Sequence, residues 1–255
     1  MELYVTGKGK GGTMDDFKGK TVLVTGGSRG LGEAFCREFA RMGCQVVLNY
    51  AHSREAAEKV ASEIGAVAYA CDISDEKAVK EMFDQVDPVD ILVNNARIDP
   101  YKRAPETSDG DWWDMVMGVN LKGAYLCGKF AMEGMKKKKW GRLLHISSIW
   151  AYQQPNERML SYAAAKSAMH AMSRGFAAIG APYNITSNVL APGLIMTKLV
   201  SERLTPEALE REKATIPLGR GESPEEIALA GINMIRSSFI TGEVLNINGG
   251  AFMRP

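Results

Sequence analysis

The sequence predicts an α/β fold: a single doubly wound domain with a seven-stranded parallel sheet and helices on both faces. Three observations lead there. Short apolar runs rich in Val, Ile and Leu alternate with helical patterns of ten or more residues, the order of strands joined by crossover helices. The first of these runs ends in a glycine-rich turn that opens a helix, Thr25-Gly26-Gly27-Ser28-Arg29-Gly30-Leu31-Gly32. The chain has 255 residues, 45% hydrophobic and 24% charged, with no internal repeat and no linker to divide it.

The elements follow in order. Lys20 to Thr25 (KTVLVT) is a β-rich run, and from about Leu31 to Arg41 the pattern is helical, stopped by Gly43. Gln45 to Tyr50 (QVVLNY) is the second strand, and Ser53 stands at the N-cap of a helix reaching about Ile64. Ala66 to Cys71 is the third strand. Ser74-Asp75-Glu76 then opens a helix to about Val86, and Asp90 to Asn94 (DILVN) is the fourth strand. Asp109 to about Met135 reads as largely helical, interrupted near Gly118 and Gly123. Arg142 to Ser147 is the fifth strand, and a polar loop from Trp150 to Leu160 leads into a helix that carries Tyr162 and reaches about Ile179. Ile185 to Leu190 is the sixth strand, closed by Ala191-Pro192-Gly193. Thr197 to about Thr215 is expected to be a mobile helical segment. Ser223-Pro224-Glu225-Glu226 is a helix start with Ser at the N-cap and Pro at N1, and Glu243 to Ile247 is the last strand. Residues 14–255 are expected to form the domain. Residues 1–13 contain Gly7-Lys8-Gly9-Lys10-Gly11-Gly12 and are expected to be a flexible leader without the apolar core of a secretory signal.

Composition narrows the function. A net charge of +1 gives no bulk attraction to nucleic acid or anionic membrane, and no apolar run reaches the ~18 residues of a membrane span. Cys36, Cys44, Cys71 and Cys127 form no C-x-x-C, and with three histidines there is no zinc spacing. Free thiols in a reducing cytoplasm are expected.

The glycine-rich turn follows a strand and opens a helix, the context of a Rossmann-type dinucleotide site. Gly26 allows the tight turn, Gly30 lets backbone approach a pyrophosphate, and Gly32 allows close packing. Ser28, Arg29 and Leu31 complete the cradle, where the helix N-terminus offers free N–H groups. An NAD site places an acid at the end of the second strand, yet this chain has Asn49 and Tyr50 there, followed by Ser53 and Arg54. With Arg29, those residues suit a 2′-phosphate, so NADP(H) is favoured over NAD(H).

In Ser161-Tyr162-Ala163-Ala164-Ala165-Lys166 the tyrosine and lysine are one helical turn apart on one face. An ammonium beside a phenol is expected to lower its pKa from about 10 and fit it for proton transfer near neutral pH. Together, this Tyr-x-x-x-Lys and a glycine-rich turn about 130 residues earlier resemble the short-chain dehydrogenase/reductase family, from about Lys20 to Gly250.

The resemblance implies a carbonyl–alcohol oxidoreductase with a catalytic tetrad of Asn120, Ser148, Tyr162 and Lys166. Ser148 is chosen over Ser147 because similar enzymes use the second serine of such a pair, here fourteen residues before Tyr162. In similar reductases the residue at Arg29 and those after the second strand contact the 2′-phosphate. Asp72 and Ile73 then lie at the adenine, with capping of the next turn as the alternative for Asp72. Asn94 and Ala96 belong to the nicotinamide side, and Pro192, Gly193, Ile195 and Thr197 resemble the segment along the nicotinamide amide. The chain departs from Asn-Asn-Ala-Gly at Asn94-Asn95-Ala96-Arg97. Arg97 either points into the cleft mouth toward an anionic group or points to solvent, and a φ > 0 there would cost of order 1 kcal/mol.

For the substrate, Asn49-Tyr50, the start of the Tyr162 helix and Ile216-Pro217-Leu218-Gly219-Arg220 are similar to 3-oxoacyl-(acyl-carrier-protein) and acetoacetyl-CoA reductases. The run Lys136–Lys139 would suit an acidic carrier protein or simply close a helix. Against a carrier, Phe176–Tyr183 lacks the basic group such enzymes often have. The loop Trp150–Leu160 leaves sugars, polyols and small ketones open. A non-catalytic NADP(H) sensor is the reading from another class, disfavoured by the complete tetrad. The resemblance also implies a homo-oligomer, commonly a tetramer.

Overall fold

The computed structural model describes residues 17–86 and 88–253, so the leader expected at residues 1–13 lies outside the described residues. Seven strands form one parallel sheet: β1 Thr21–Val24, β2 Gln45–Tyr50, β3 Val67–Ala70, β4 Ile91–Asn94, β5 Gly141–Ile146, β6 Ile185–Pro192 and β7 Val244–Ile247. Among the described residues nine α-helices accompany them: α1 Gly30–Arg41, α2 Arg54–Ile64, α3 Glu76–Gln85, α4 Asp109–Met117, α5 Ala124–Lys138, α6 Leu160–Gly180, α7 Lys198–Arg203, α8 Pro206–Ala214 and α9 Pro224–Arg236.

Strand residues alternate between two hydrophobic layers. On β1, Val22 and Val24 join Phe35, Phe39, Val60 and Ile232 of α1, α2 and α9 on one face. Leu23 between them joins Met82, Leu126 and Phe176 of α3, α5 and α6 on the other. The sheet order is β3-β2-β1-β4-β5-β6-β7. The order reverses between β1 and β4, which pair directly through Val22–Ile91 to Val24–Val93. At such a switch point the connections leave to opposite faces and open a crevice at the carboxyl ends of the strands.

Local chemistry explains the element ends. Asp75 caps α3 by accepting from the Lys77 and Ala78 amides, and Ser223 and Glu226 form a reciprocal capping box on α9 behind Pro224. The interruption expected between Gly118 and Gly123 is one π-helical turn, Gly118–Gly123. A Cβ on Gly123 would sit 2.6 Å from Ile73 Cγ1, so glycine lets this turn press against the end of β3. β6 runs two residues beyond the expected Leu190, pairing Pro192 with Ile247. The segment expected over Thr197–Thr215 forms α7 and α8, capped by Thr197 and Thr205.

Candidate active site

The glycine-rich turn fills the crevice between β1 and β4. Gly26 has φ 65°, and a Cβ there would lie 2.9 Å from Ala96 Cα. A Cβ on Gly32 would lie 2.2 Å from the Gly26 carbonyl oxygen, so α1 starts hard against the turn itself. Gly30 differs. At φ 55° its missing Cβ would meet only Thr197 Cγ2, at 3.4 Å, which leaves open space between the glycine-rich turn and the start of α7. No side chain caps α1 at Arg29, so its first amides face that space. This cradle fits a pyrophosphate.

Two residues outside the expected set brace it. Thr25 Oγ1 accepts from the Asn95 and Ala96 amides, each at 3.0 Å, and Asn95 Nδ2 donates to the Thr25 and Gly26 carbonyls at 3.0 and 3.1 Å. Both stood in the quoted motifs, but only the pairing of β1 with β4 shows that they clasp each other. Asn94 turns the other way, donating to the Ala124 carbonyl at 2.9 Å and contacting His145 Nδ1 at 3.1 Å.

At the end of β2 the expected residues divide. Arg29 donates to Ser53 Oγ, so a guanidinium and a hydroxyl meet across 24 residues of sequence. Ser53 holds the N-cap position of α2, yet its side chain caps nothing. Arg54 faces solvent and pairs with Glu58 at 3.9 Å. Asn49 is buried and donates to the Cys71 carbonyl at 2.8 Å, tying the ends of β2 and β3, while Tyr50 is buried in the core. Asp72 Oδ1 accepts from the Ser74 amide and hydroxyl at 2.9 and 2.8 Å, and Ile73 packs in the core.

On the other side of the crevice, α6 brings Tyr162 and Lys166 over the end of β5. Both are buried. Lys166 Nζ donates to the Ile146 carbonyl at 2.6 Å and lies 5.6 Å from the Tyr162 ring centroid. The Ser148 hydroxyl favours the ionised form of Tyr162, and its Oγ accepts from the Trp150 amide at 3.3 Å. Ser147 points away, donating to the Lys166 carbonyl at 3.0 Å with His170 Nε2 at 2.8 Å. Asn120, on the π turn, is fully buried. Its Oδ1 accepts from the Ile98 amide at 2.7 Å, while Nδ2 has no partner among the described residues.

The electrostatics correct one expectation. Burial raises the Tyr162 phenol above its ordinary value, and the cation that draws it back is Arg97, followed by the Ser148 hydrogen bond. Burial, then Arg97, lowers the pKa of Lys166 itself to about 7, so near neutral pH it is not the fixed cation expected beside the phenol. Arg97 lies close enough to influence both groups and pairs with Asp99 at 3.6 Å. Its backbone is outside the left-handed region, so the departure from glycine carries no φ > 0 penalty. Past β6, Thr197 Oγ1 caps α7 and Ile195 bridges to Glu222.

Residues 20–208 match the short chain dehydrogenase family. The chain belongs to that family. It is 36% identical over 246 residues to a 3-oxoacyl-(acyl-carrier-protein) reductase of Aquifex aeolicus, covering 92% of this chain and 98% of the relative. It is 36% identical over 245 residues to an acetoacetyl-CoA reductase of Rhizobium meliloti, covering 91% and 98%. The crystal structure of BdcA in complex with NADPH superposes with a TM-score of 0.81 at 35% identity, covering 91% of this chain and 94% of that one. As a short-chain dehydrogenase the protein is an oxidoreductase acting on carbonyl and alcohol groups. Among the described residues no helix is long and apolar enough to cross a membrane, and all four cysteines are free.

Proposed function

We propose that this short-chain dehydrogenase is an NADPH-dependent reductase of 3-oxoacyl thioesters with Tyr162 as proton donor. The observation that carries the chemistry is the burial of Ser148, Tyr162 and Lys166 together at the end of β5, with Lys166 Nζ 5.6 Å from the Tyr162 ring centroid. The glycine-rich turn and Thr197 at the start of α7 would hold a nicotinamide cofactor, which would supply the hydride when bound.

Burial keeps the phenol protonated, and Arg97 with Ser148 keeps that proton transferable to an oxygen that is gaining charge. Ser148 offers a hydrogen bond at the same oxygen, worth about 2.7–4 kcal/mol where such donors have been removed from enzymes. Lys166, with a pKa near 7, is poised to return a proton to Tyr162 at neutral pH. Asn120 keeps one buried amide N–H for the water that carries that proton in.

Two features support NADPH. Arg29 and Ser53 stand together beside α2, and β2 ends in Asn49 and Tyr50 rather than a carboxylate that would repel a 2′-phosphate. The thioester rests on the named reductases among the relatives. A carrier-protein dock on Lys136–Lys139 gains nothing, because Lys136 lies over the Tyr183 ring at 5.5 Å and Lys138 pairs with Asp90 at 2.9 Å. The free thiols fit a reducing compartment such as the cytoplasm.

The test is NADPH oxidation with acetoacetyl-CoA beside a matched NADH run. Robust turnover with NADPH alone is expected. Tight NADPH binding with no turnover of any carbonyl compound would return the chain to a sensor role.

A further inference from the structure

Three arginines gather at the mouth of the cleft, each from a different segment. Arg97 follows β4, Arg158 lies in the 3₁₀ turn Glu157–Met159 before α6, and Arg203 ends α7. They meet around Asp99 and Tyr101. Arg97 and Arg203 approach the Asp99 carboxylate at 3.6 and 3.8 Å. The Arg203 guanidinium lies 4.0 Å from the Tyr101 ring centroid and that of Arg158 lies 5.4 Å from it.

The charges do not cancel. One nearly buried carboxylate faces two guanidinium groups, with a third across the Tyr101 ring, in a chain whose total charge is only +1. Its two contacts are long, against 2.6 and 2.8 Å in the forked Arg220–Glu226 pair elsewhere on the surface. One Asp99 oxygen is also engaged by the Tyr101 amide at 3.0 Å. Arg158 has no carboxylate partner among the described residues. Three forked donors thus converge with their hydrogen-bonding capacity largely unspent, the arrangement that recognises phosphate oxygens. Arg97 also directly follows the Asn95–Ala96 clasp on the glycine-rich turn, and its charge acts on Tyr162.

We infer that Arg97, Arg158 and Arg203 form a rim that binds a phosphate carried by the substrate, remote from the carbonyl reduced at Tyr162. This deepens the proposed function and rests on its placing of the carbonyl at Tyr162. It assigns the charged part of a coenzyme-linked thioester to residues that play no part in the hydride or proton steps at Arg158 and Arg203. Asp99 and Tyr101 hold the three cations together against mutual repulsion, so the rim is formed before substrate arrives.

The test compares two substrates with the same acyl group on the NADPH-saturated enzyme: acetoacetyl-CoA and the phosphate-free acetoacetyl-N-acetylcysteamine. The variants are Arg158→Gln, Arg203→Gln and their double. The ratio of kcat/KM values, CoA thioester over neutral thioester, is expected to fall at least ~10-fold in the double variant, through KM, which is the loss of about 1.4 kcal/mol of binding. The wild-type ratio is expected to fall with added salt and that of the double variant to stay level. An equal loss on both substrates, or a raised KM for NADPH, would overturn the rim as a substrate site. Calorimetry of CoA alone with the NADPH-loaded enzyme separates the two readings. Binding that weakens in the variants supports the rim even if neither thioester is turned over and the thioester reading has failed. No measurable CoA binding to the wild type overturns the rim. Acetoacetate run beside its ethyl ester would show whether a carboxylate is taken instead, which also overturns the phosphate assignment.

Discussion

An alanine at Gly30 should separate cofactor binding from folding. The added methyl would meet only Thr197 Cγ2, at the ordinary contact distance of 3.4 Å. The folded chain then bears the left-handed backbone penalty of about 1–2 kcal/mol, offset in part by the stiffer unfolded chain at about 0.4–1 kcal/mol. For a protein of this size each kcal/mol moves Tm by about 2–4 °C, so a fall of roughly 0–6 °C is expected. The methyl nevertheless projects into the space that the first amides of α1 face. Displacing a pyrophosphate there forfeits at least one hydrogen bond to a charged group, worth about 1.5–3 kcal/mol, which is a rise of about 10-fold or more in Kd for NADPH. Gly32→Ala is the contrast. Its Cβ would fall 2.2 Å from the Gly26 oxygen and 2.6 Å from Asn95 Nδ2, both inside the clasp between β1 and β4, so folding itself should suffer. Thermal melts without cofactor and fluorescence titration with NADPH read the two effects separately. A Gly30→Ala protein that binds NADPH as tightly as the wild type would refute the placing of the pyrophosphate.

Three further outcomes are expected. Tyr162→Phe should lower kcat by at least ~100-fold with NADPH affinity retained, and a smaller loss in steady-state assays would undo its role as proton donor. Arg29→Ala should weaken NADPH about 10-fold and leave NADH unchanged, whereas equal losses in titrations of both would show that Arg29 serves the turn rather than the 2′-phosphate. His145 is buried between Asn94 and Ser187, and burial, with Lys166, lowers its pKa to about 3. Between that value and about 6.5 the unfolded chain binds the extra proton, so stability drops as pH falls, with a slope of up to ~1.4 kcal/mol per pH unit from this group. His145→Gln should flatten the decline of urea midpoints from pH 6.5 to 4, and parallel declines would rule His145 out as its source.

The order of elements was legible because each strand–helix alternation is a local pattern, and a parallel sheet allows few ways to connect it. Even the break in the long helix was visible, since Gly118 and Gly123 bracket the π turn. What a side chain does across the sheet was less legible. Ser53 satisfied a local rule for capping α2, but its hydroxyl goes to Arg29, 24 residues earlier. Asn49 occupies a position where charge tells NAD from NADP, yet its amide ties β2 to β3. Nothing within a few residues of either position records that partner.

Lys166 shows the limit most clearly. Spacing placed it one turn from Tyr162, and helix geometry made that reliable. Its effect on the phenol depends on its own charge, which burial removes as pH rises through about 7. A buried lysine near its pKa is a better proton relay than a fixed cation, so the acidity of Tyr162 needs a cation that water still reaches. Arg97 is such a group: exposed, permanently charged, and located where the family pattern has glycine. In the proposed mechanism the departure from the motif thus takes the electrostatic role first assigned to the motif's lysine. An Arg97→Gly variant should accordingly show an alkaline shift in the pH profile of kcat for a neutral thioester, an effect that rim binding of phosphate cannot produce.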